Sequence, residues 1–126
     1  DRRLVTAGWL DKLRIKGVEV HTRSCFLQGL LVMSKDAIPK KFHSWGNLWS
    51  EWHDWLEENN QISAVEACVA FVNSVEGIDK IVIGIDSRDQ LEQLVTALGK
   101  NIDITSFPNI SSEQKHLINP SNWSAL

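Results

Sequence analysis

The segment Lys80-Ile81-Val82-Ile83-Gly84-Ile85 decides how this chain reads, because Ile81 to Ile85 is apolar on both faces of an extended backbone. Such a strand needs a neighbour on each edge and a covering layer on each side. Upstream, Val18-Glu19-Val20-His21-Thr22 alternates, with Val18, Val20 and Thr22 on one face and Glu19, His21 and the following Arg23 on the other. A long helical crossover joins the two segments, and each segment runs into a polar loop that holds a glycine. Strands so connected pair in parallel, and the expected class is α/β. Ligands of parallel sheets gather beyond the carboxyl ends of the strands, which directs attention to residues 23–29 and 84–90.

The remaining segments read as helices and connections. Leu4, Val5, Trp9, Leu10 and Leu13 recur at helical spacing from Arg2 to Arg14, with Gly17 as the stop. Leu30 to Met33 is an apolar patch, and the stretch Ser34 to Lys41 with Pro39 reads as a surface connection. From Asn47 to Glu58, Leu48, Trp49, Trp52, Trp55 and Leu56 form one wide apolar stripe, expected to face the core or an interface rather than to stack a sugar or a base. Ser63 to Glu66 is a capping box that opens a helix, apolar almost all round, running to about Val75 and closed by Gly77. Ser87 to Gln90 is a second box, and Leu91, Leu94, Val95 and Leu98 follow as an i, i+3, i+4, i+7 stripe before Gly99. Residues 101–110 read as irregular, Ser111 to Gln114 as the cap of a short last helix, and 100–126 as a tail whose Pro120 and Trp123 pack back on the body.

Composition narrows the function classes. The 126 residues are 43% hydrophobic and 23% charged, enough for one domain with a real core, and a net charge of -3 lacks the basic excess of a nucleic-acid binder. No apolar run has the length of a membrane span, and nothing behind Asp1-Arg2-Arg3 resembles a signal peptide, so the expected setting is cytoplasmic with neither membrane nor nucleic acid as partner. Cys25 and Cys68 have no spacing for a disulfide framework or a zinc site and read as reduced thiols. Neither a metal site nor a catalytic residue is assigned. His53 and Asp54 adjoin on a helix and so point apart, and His21 reads as a hydrogen-bonded core residue. The chain begins at Asp1 and offers Ile81 to Ile85 only one other strand, so it is expected to lie within a larger protein.

The two strand-end loops suit an anion. Arg23-Ser24-Cys25-Phe26-Leu27-Gln28-Gly29 combines a hydroxyl, a side-chain amide and a flexible glycine, while Gly84 and the Ser87 cap set a helix N-terminus at the end of the second strand, where free amides and the helix dipole favour phosphate.

With these residues in place, the stretch from Gly17 to Leu31 resembles the seventh strand and following loop of aldo/keto reductases, with Ser24, Phe26, Gly29, Leu30 and Leu31 matching in position. Ile81 to Leu91 is similar to the eighth strand and phosphate-binding helix start of that family, and Ser63 to Val75 to the helix between them. The resemblance covers Arg2 to Leu98 and implies the C-terminal part of a TIM (β/α)8 barrel, its last two parallel strands with their helices. It further implies NADP or NAD as cofactor and a small carbonyl compound (aldehyde, ketone or sugar) as substrate of the parent oxidoreductase, with the remainder of the barrel as partner. Carried over, Ser24, Phe26, Gln28 and Gly29 line the pyrophosphate, and Gly84, Asp86, Ser87 and Gln90 face the adenosine ribose.

The chain departs from the family at three positions. Ile83 stands for a common proline, Gln90 for an arginine that often grips the 2′-phosphate, and Leu94 for an asparagine that often touches adenine. With Asp86 nearby to repel a 2′-phosphate and Arg88 available to offset it, NADP and NAD both stay open. Family members protonate the carbonyl with a tyrosine set by lysine, aspartate and histidine, and this chain contains no tyrosine, so no turnover is expected from these residues alone. Two other classes remain: a non-catalytic barrel that senses nucleotide, and an interaction module that docks through the tryptophan helix.

Overall fold

In the computed structural model, which describes residues 1–100, 102 and 107–126, the two strand segments pair in parallel. β1 (His21–Arg23) and β2 (Lys80–Val82) lie side by side with His21 opposite Lys80, Thr22 opposite Ile81 and Arg23 opposite Val82. The register is locked just before the strands begin: Val20 donates its N–H to the Asp79 carboxylate at 2.7 Å, and Asp79 donates its own to the Val20 carbonyl at 2.9 Å. Both strands are shorter than the sequence suggests. Ser24, at φ +62°, turns β1 out of the extended conformation, and β2 loses its pairing partner at the same level.

The helix expected over Arg2 to Arg14 is two helices, α1 (Arg3–Thr6) and α2 (Trp9–Ile15), because Gly8 takes the left-handed conformation at φ +67°. Leu10 is buried, and Gly77, at φ +92°, lies close enough that a Cβ there would sit 3.8 Å from it. After β1 come three 3-10 turns, Leu30–Val32, Lys35–Ala37 and Lys40–Trp45, which lead into α3 (Gly46–Glu58). This stretch is no plain surface connection, since Ile38 and Phe42 are buried. α4 (Ala64–Asn73) precedes β2, α5 (Arg88–Gly99) follows it, and α6 (Lys115–Ile118) with a 3-10 turn over Pro120–Ala125 completes the chain. Of the irregular stretch 101–110, residues 101 and 103–106 lie outside the described residues; 107–110 form no regular element.

One core cluster joins Leu30, Ile38, Phe42, Trp49, Leu117 and Ile118; a second joins Trp52, Ala67 and Cys68, with Phe26 and Phe107 packed against it. The stripe of α3 thus faces inward. Each deep tryptophan finds a carbonyl for its indole N–H: Trp49 donates to Phe42 at 2.8 Å, Trp52 to Leu31 and Trp123 to Leu117, both at 2.9 Å. Trp123 also meets the Phe42 ring edge-on at 4.7 Å, which fastens the end of the chain to the first cluster.

α4 opens with the reciprocal cap read from sequence: Ser63 Oγ accepts from the Glu66 N–H at 3.2 Å, and the Glu66 carboxylate accepts from the Ser63 N–H at 2.7 Å. α5 packs on α4 and buries only Leu94 and Ala97, so that Leu91, Val95 and Leu98 stay exposed, as do Val82 and Ile85 on the strand side. The class is mixed α/β with a two-stranded parallel sheet. No helix among the described residues is long and apolar enough to cross a membrane.

Candidate functional site

Because β1 and β2 run in the same direction and end level, the loop 24–29 and the segment 83–87 leave from one end of the sheet. A cavity of about 730 Å³ extends along β1 and the loop after it, lined there by His21, Thr22, Arg23, Ser24 and Gln28, and also by Val75 and Ile78 just before β2. Its apolar bed includes Leu31, Trp52, Phe71 and Phe107. Phe71 and Phe107 meet edge-on at 5.2 Å, and the Arg2 guanidinium lies 5.6 Å over the Phe71 ring while donating to the Pro108 carbonyl at 3.5 Å. Arg2, Arg3 and Arg23 line the cavity against a single carboxylate, Asp1, which Arg3 already grips through two contacts at 2.8 and 2.9 Å. The charge left over is positive.

The loop that carries the sequence candidates is wound tightly by its own backbone. Leu27 donates to the Ser24 carbonyl at 2.9 Å, and Gly29 and Leu31 both donate to the Phe26 carbonyl at 3.0 and 3.2 Å. To close these turns, Ser24, Leu27 and Gln28 adopt φ of +62°, +48° and +54°, a region that side-chain-bearing residues enter at a cost. Ser24 and Gln28 are exposed on the cavity, whereas Phe26 turns into the second core cluster and Gly29, at φ +90°, starts the Leu30–Val32 turn.

The second set is arranged at the start of α5. Ser87 Oγ accepts from the Gln90 N–H at 3.2 Å, and Gln90 Oε1 accepts from the Asp86 N–H at 2.8 Å, so the box closes one residue earlier than a standard one. Gly84, Asp86, Ser87 and Gln90 are exposed, and none lines the cavity described above. A Cβ at Gly84 would meet nothing within 4 Å, so the backbone there is open to approach. Leu94 is buried on α5, which packs on α4.

The structure therefore gathers Arg23, Ser24 and Gln28 of the strand-end loop with two residues not singled out from sequence, Phe71 and Phe107. Phe71 had read as one more apolar position of α4, and Phe107 reaches the site from a segment with no periodicity, so no local signal marked either. His21 is exposed and bonded to the Glu19 carboxylate at 2.7 Å, not buried as read from sequence. Lys80 shares that carboxylate and, ahead of His21, holds it below the usual range. His53 is held below the usual imidazole range by burial and then by Lys35, which keeps the ring neutral near neutral pH. No cluster of metal-ligating side chains occurs among the described residues. The chain matches no family model, and neither curated proteins nor solved structures show a significant match to it.

Proposed function

We propose that this chain is the cofactor-gripping part of an NAD(P)H-dependent oxidoreductase of the aldo/keto reductase type, its strands being the last two of a (β/α)8 barrel. The observation that carries this reading is the level, parallel pairing of β1 with β2, which puts both glycine-bearing loops at one sheet end, the first of them lining the cavity. A volume of about 730 Å³ falls within the range of small-molecule sites, and three arginines against one carboxylate suit a pyrophosphate. Ser24 and Gln28 would bind that group, with Phe26 and Gly29 holding the loop in shape behind them. Gly84, Asp86, Ser87 and Gln90 would face the ribose and its substituents, where the open backbone of Gly84 allows close approach.

The bound cofactor would supply a hydride to an aldehyde, ketone or sugar carbonyl. The residues of this chain bind and orient it; the proton would come from an acid elsewhere, since the chain has no tyrosine. The exposed Val82, Ile85, Leu91, Val95 and Leu98 would then meet the remainder of the barrel. Docking through the tryptophan helix is disfavoured by the burial of Trp49 and Trp52.

The test is a fluorescence titration of the chain with NADPH. Gly29→Val would confuse binding with folding, because φ +90° strains any side chain. Gly84→Val avoids this, having neither a left-handed φ nor a neighbour within 4 Å. Its expected effect is a loss of about tenfold or more in NADPH affinity, at least 1.4 kcal/mol, with an unchanged Tm. Equal affinity in the two proteins would remove Gly84 from the site.

A further inference from the structure

The fold brings two thiols that lie far apart in the sequence to the wall of one cavity. Cys25, half-buried, and Cys68, buried on α4, are the chain's only cysteines, and both line the cavity along β1. Phe26, next to Cys25, packs on the core cluster that contains Cys68, and the Leu30–Val32 turn that follows the loop contacts α4, the helix that carries the second thiol. The loop is also strained at Ser24, Leu27 and Gln28, on both sides of Cys25, which gives it a cause to rearrange.

We propose that Cys25 and Cys68 form a reversible disulfide across this cavity, which draws the loop 24–29 onto α4 and weakens the nucleotide site. The effect on nucleotide rests on the function proposed above; the chemistry of the pair does not. The oxidant is a small aliphatic disulfide. The Cys25 thiolate attacks one of its sulfurs, a mixed disulfide forms, and the thiolate that leaves takes up the proton lost by Cys25. The Cys68 thiolate then attacks Cys25 Sγ, the mixed bond breaks, and the second small thiolate leaves and takes up the Cys68 proton. Two protein thiols are oxidised by two electrons, and one small disulfide becomes two thiols.

Cys25 is the better first nucleophile. Burial raises its thiol, but the amides of Cys25 and Phe26 offset part of that, whereas burial and the neighbouring Cys25 push Cys68 up to about 12. With both thiols raised, exchange at neutral pH is slow and starts at Cys25.

The experiment treats the folded chain with oxidised glutathione, then reads intact mass, the linked peptides and NADPH affinity. The expected result is a loss of two hydrogen masses, a Cys25–Cys68 crosslink, and about tenfold or more weaker NADPH binding, all restored by a dithiol reductant. Cys68→Ser should instead stop at a glutathione adduct on Cys25, and Cys25→Ser should form no internal bond. A folded chain that loses no mass would overturn the pair, and a crosslinked chain with unchanged affinity would overturn its control of the site. Should the reduced chain bind no NADPH, the nucleotide reading falls and with it the control, while the mass alone decides the pair.

Discussion

α3 and α5 carry apolar stripes of the same helical period, yet the structure treats them in opposite ways. Trp49 and Trp52 of α3 are 3% and 5% exposed, enclosed by the 3-10 turns before the helix, by α6 and by α4. On α5, Leu94 is buried on α4 while Val95, its neighbour in the stripe, is 61% exposed. Period alone tells which face of a helix is apolar; a partner must exist for that face to be buried. The tryptophan side of the molecule supplies its own partners, including the carbonyls that accept the indole N–H groups. Among the described residues the β2–α5 side supplies mainly α4, and Val82, Ile85, Leu91, Val95 and Leu98 stay exposed.

The contrast is most sharply tested at its extremes. Phe42 is 1% exposed, meets Trp123 edge-on, and lends its carbonyl to the Trp49 indole. Phe42→Ala should cost about 3–5 kcal/mol by urea denaturation, since it removes a large ring and leaves a cavity in the first cluster. Val95→Ala should cost no more than about 0.5 kcal/mol, because its side chain stands largely in solvent. Similar costs at the two sites would mean that α5 is covered in solution and that the two sides are alike.

A middle-sized effect sits where α5 meets α4. Glu66 is buried, completes the Ser63 cap, and pairs with Lys100 beyond the end of α5. Lys100 first, and then the Ser63 backbone amide, lower its carboxyl from 4.5 to about 2. A carboxyl depressed on folding adds stability that is fully present above about pH 4.5 and is lost as pH falls through about 2. The shift itself corresponds to at most about 3 kcal/mol, and the half-exposed Lys100 screens this to about 1–2 kcal/mol. Glu66→Gln keeps a capping amide but removes the ion pair. It should be less stable than the wild type by that amount at pH 7, with the gap closing between about pH 4.5 and 2. A gap that persists below pH 2 would assign the effect to packing instead of charge.

Features that depend on neighbouring residues were legible in the sequence, and those that depend on distant ones were not. The two strand segments, the Ser63–Glu66 box, the Ser87 cap and the inward tryptophan stripe follow from residue type at short spacing, the parallel pairing follows from the helical crossover between the strands, and all appear in the structure. The break at Gly8 was not foreseen, because a glycine within a periodic stretch is also compatible with a continuous helix. Ile38 and Phe42 reach the core from 3-10 turns, whose short lengths give no repeating pattern to detect. At the candidate site, Ser24 and Gln28 could be named from the strand-end rule, but their juxtaposition with Phe71, Phe107 and Cys68 is a product of tertiary packing. Short strands were the remaining error, since apolar character continues to Ile85 while pairing ends at Val82.

The smallest expected change is also the one that bears on what lies beyond β2 and α5. Leu91, Val95 and Leu98 occupy one face of α5, each 46–61% exposed, and give up little transfer free energy when replaced. A chain carrying Leu91→Gln, Val95→Lys and Leu98→Gln should keep its stability within about 0.5 kcal/mol, helped by the good helix propensity of Lys and Gln. Its self-association in sedimentation should fall, because an apolar patch joined to an unpaired strand edge is what drives such chains together. If the triple variant instead unfolds, the face is buried in the isolated chain and α5 is no counterpart to α3. If stability and association both stay as they were, the exposed stripe is inert, and the proposal that it meets the remainder of a barrel loses its physical support.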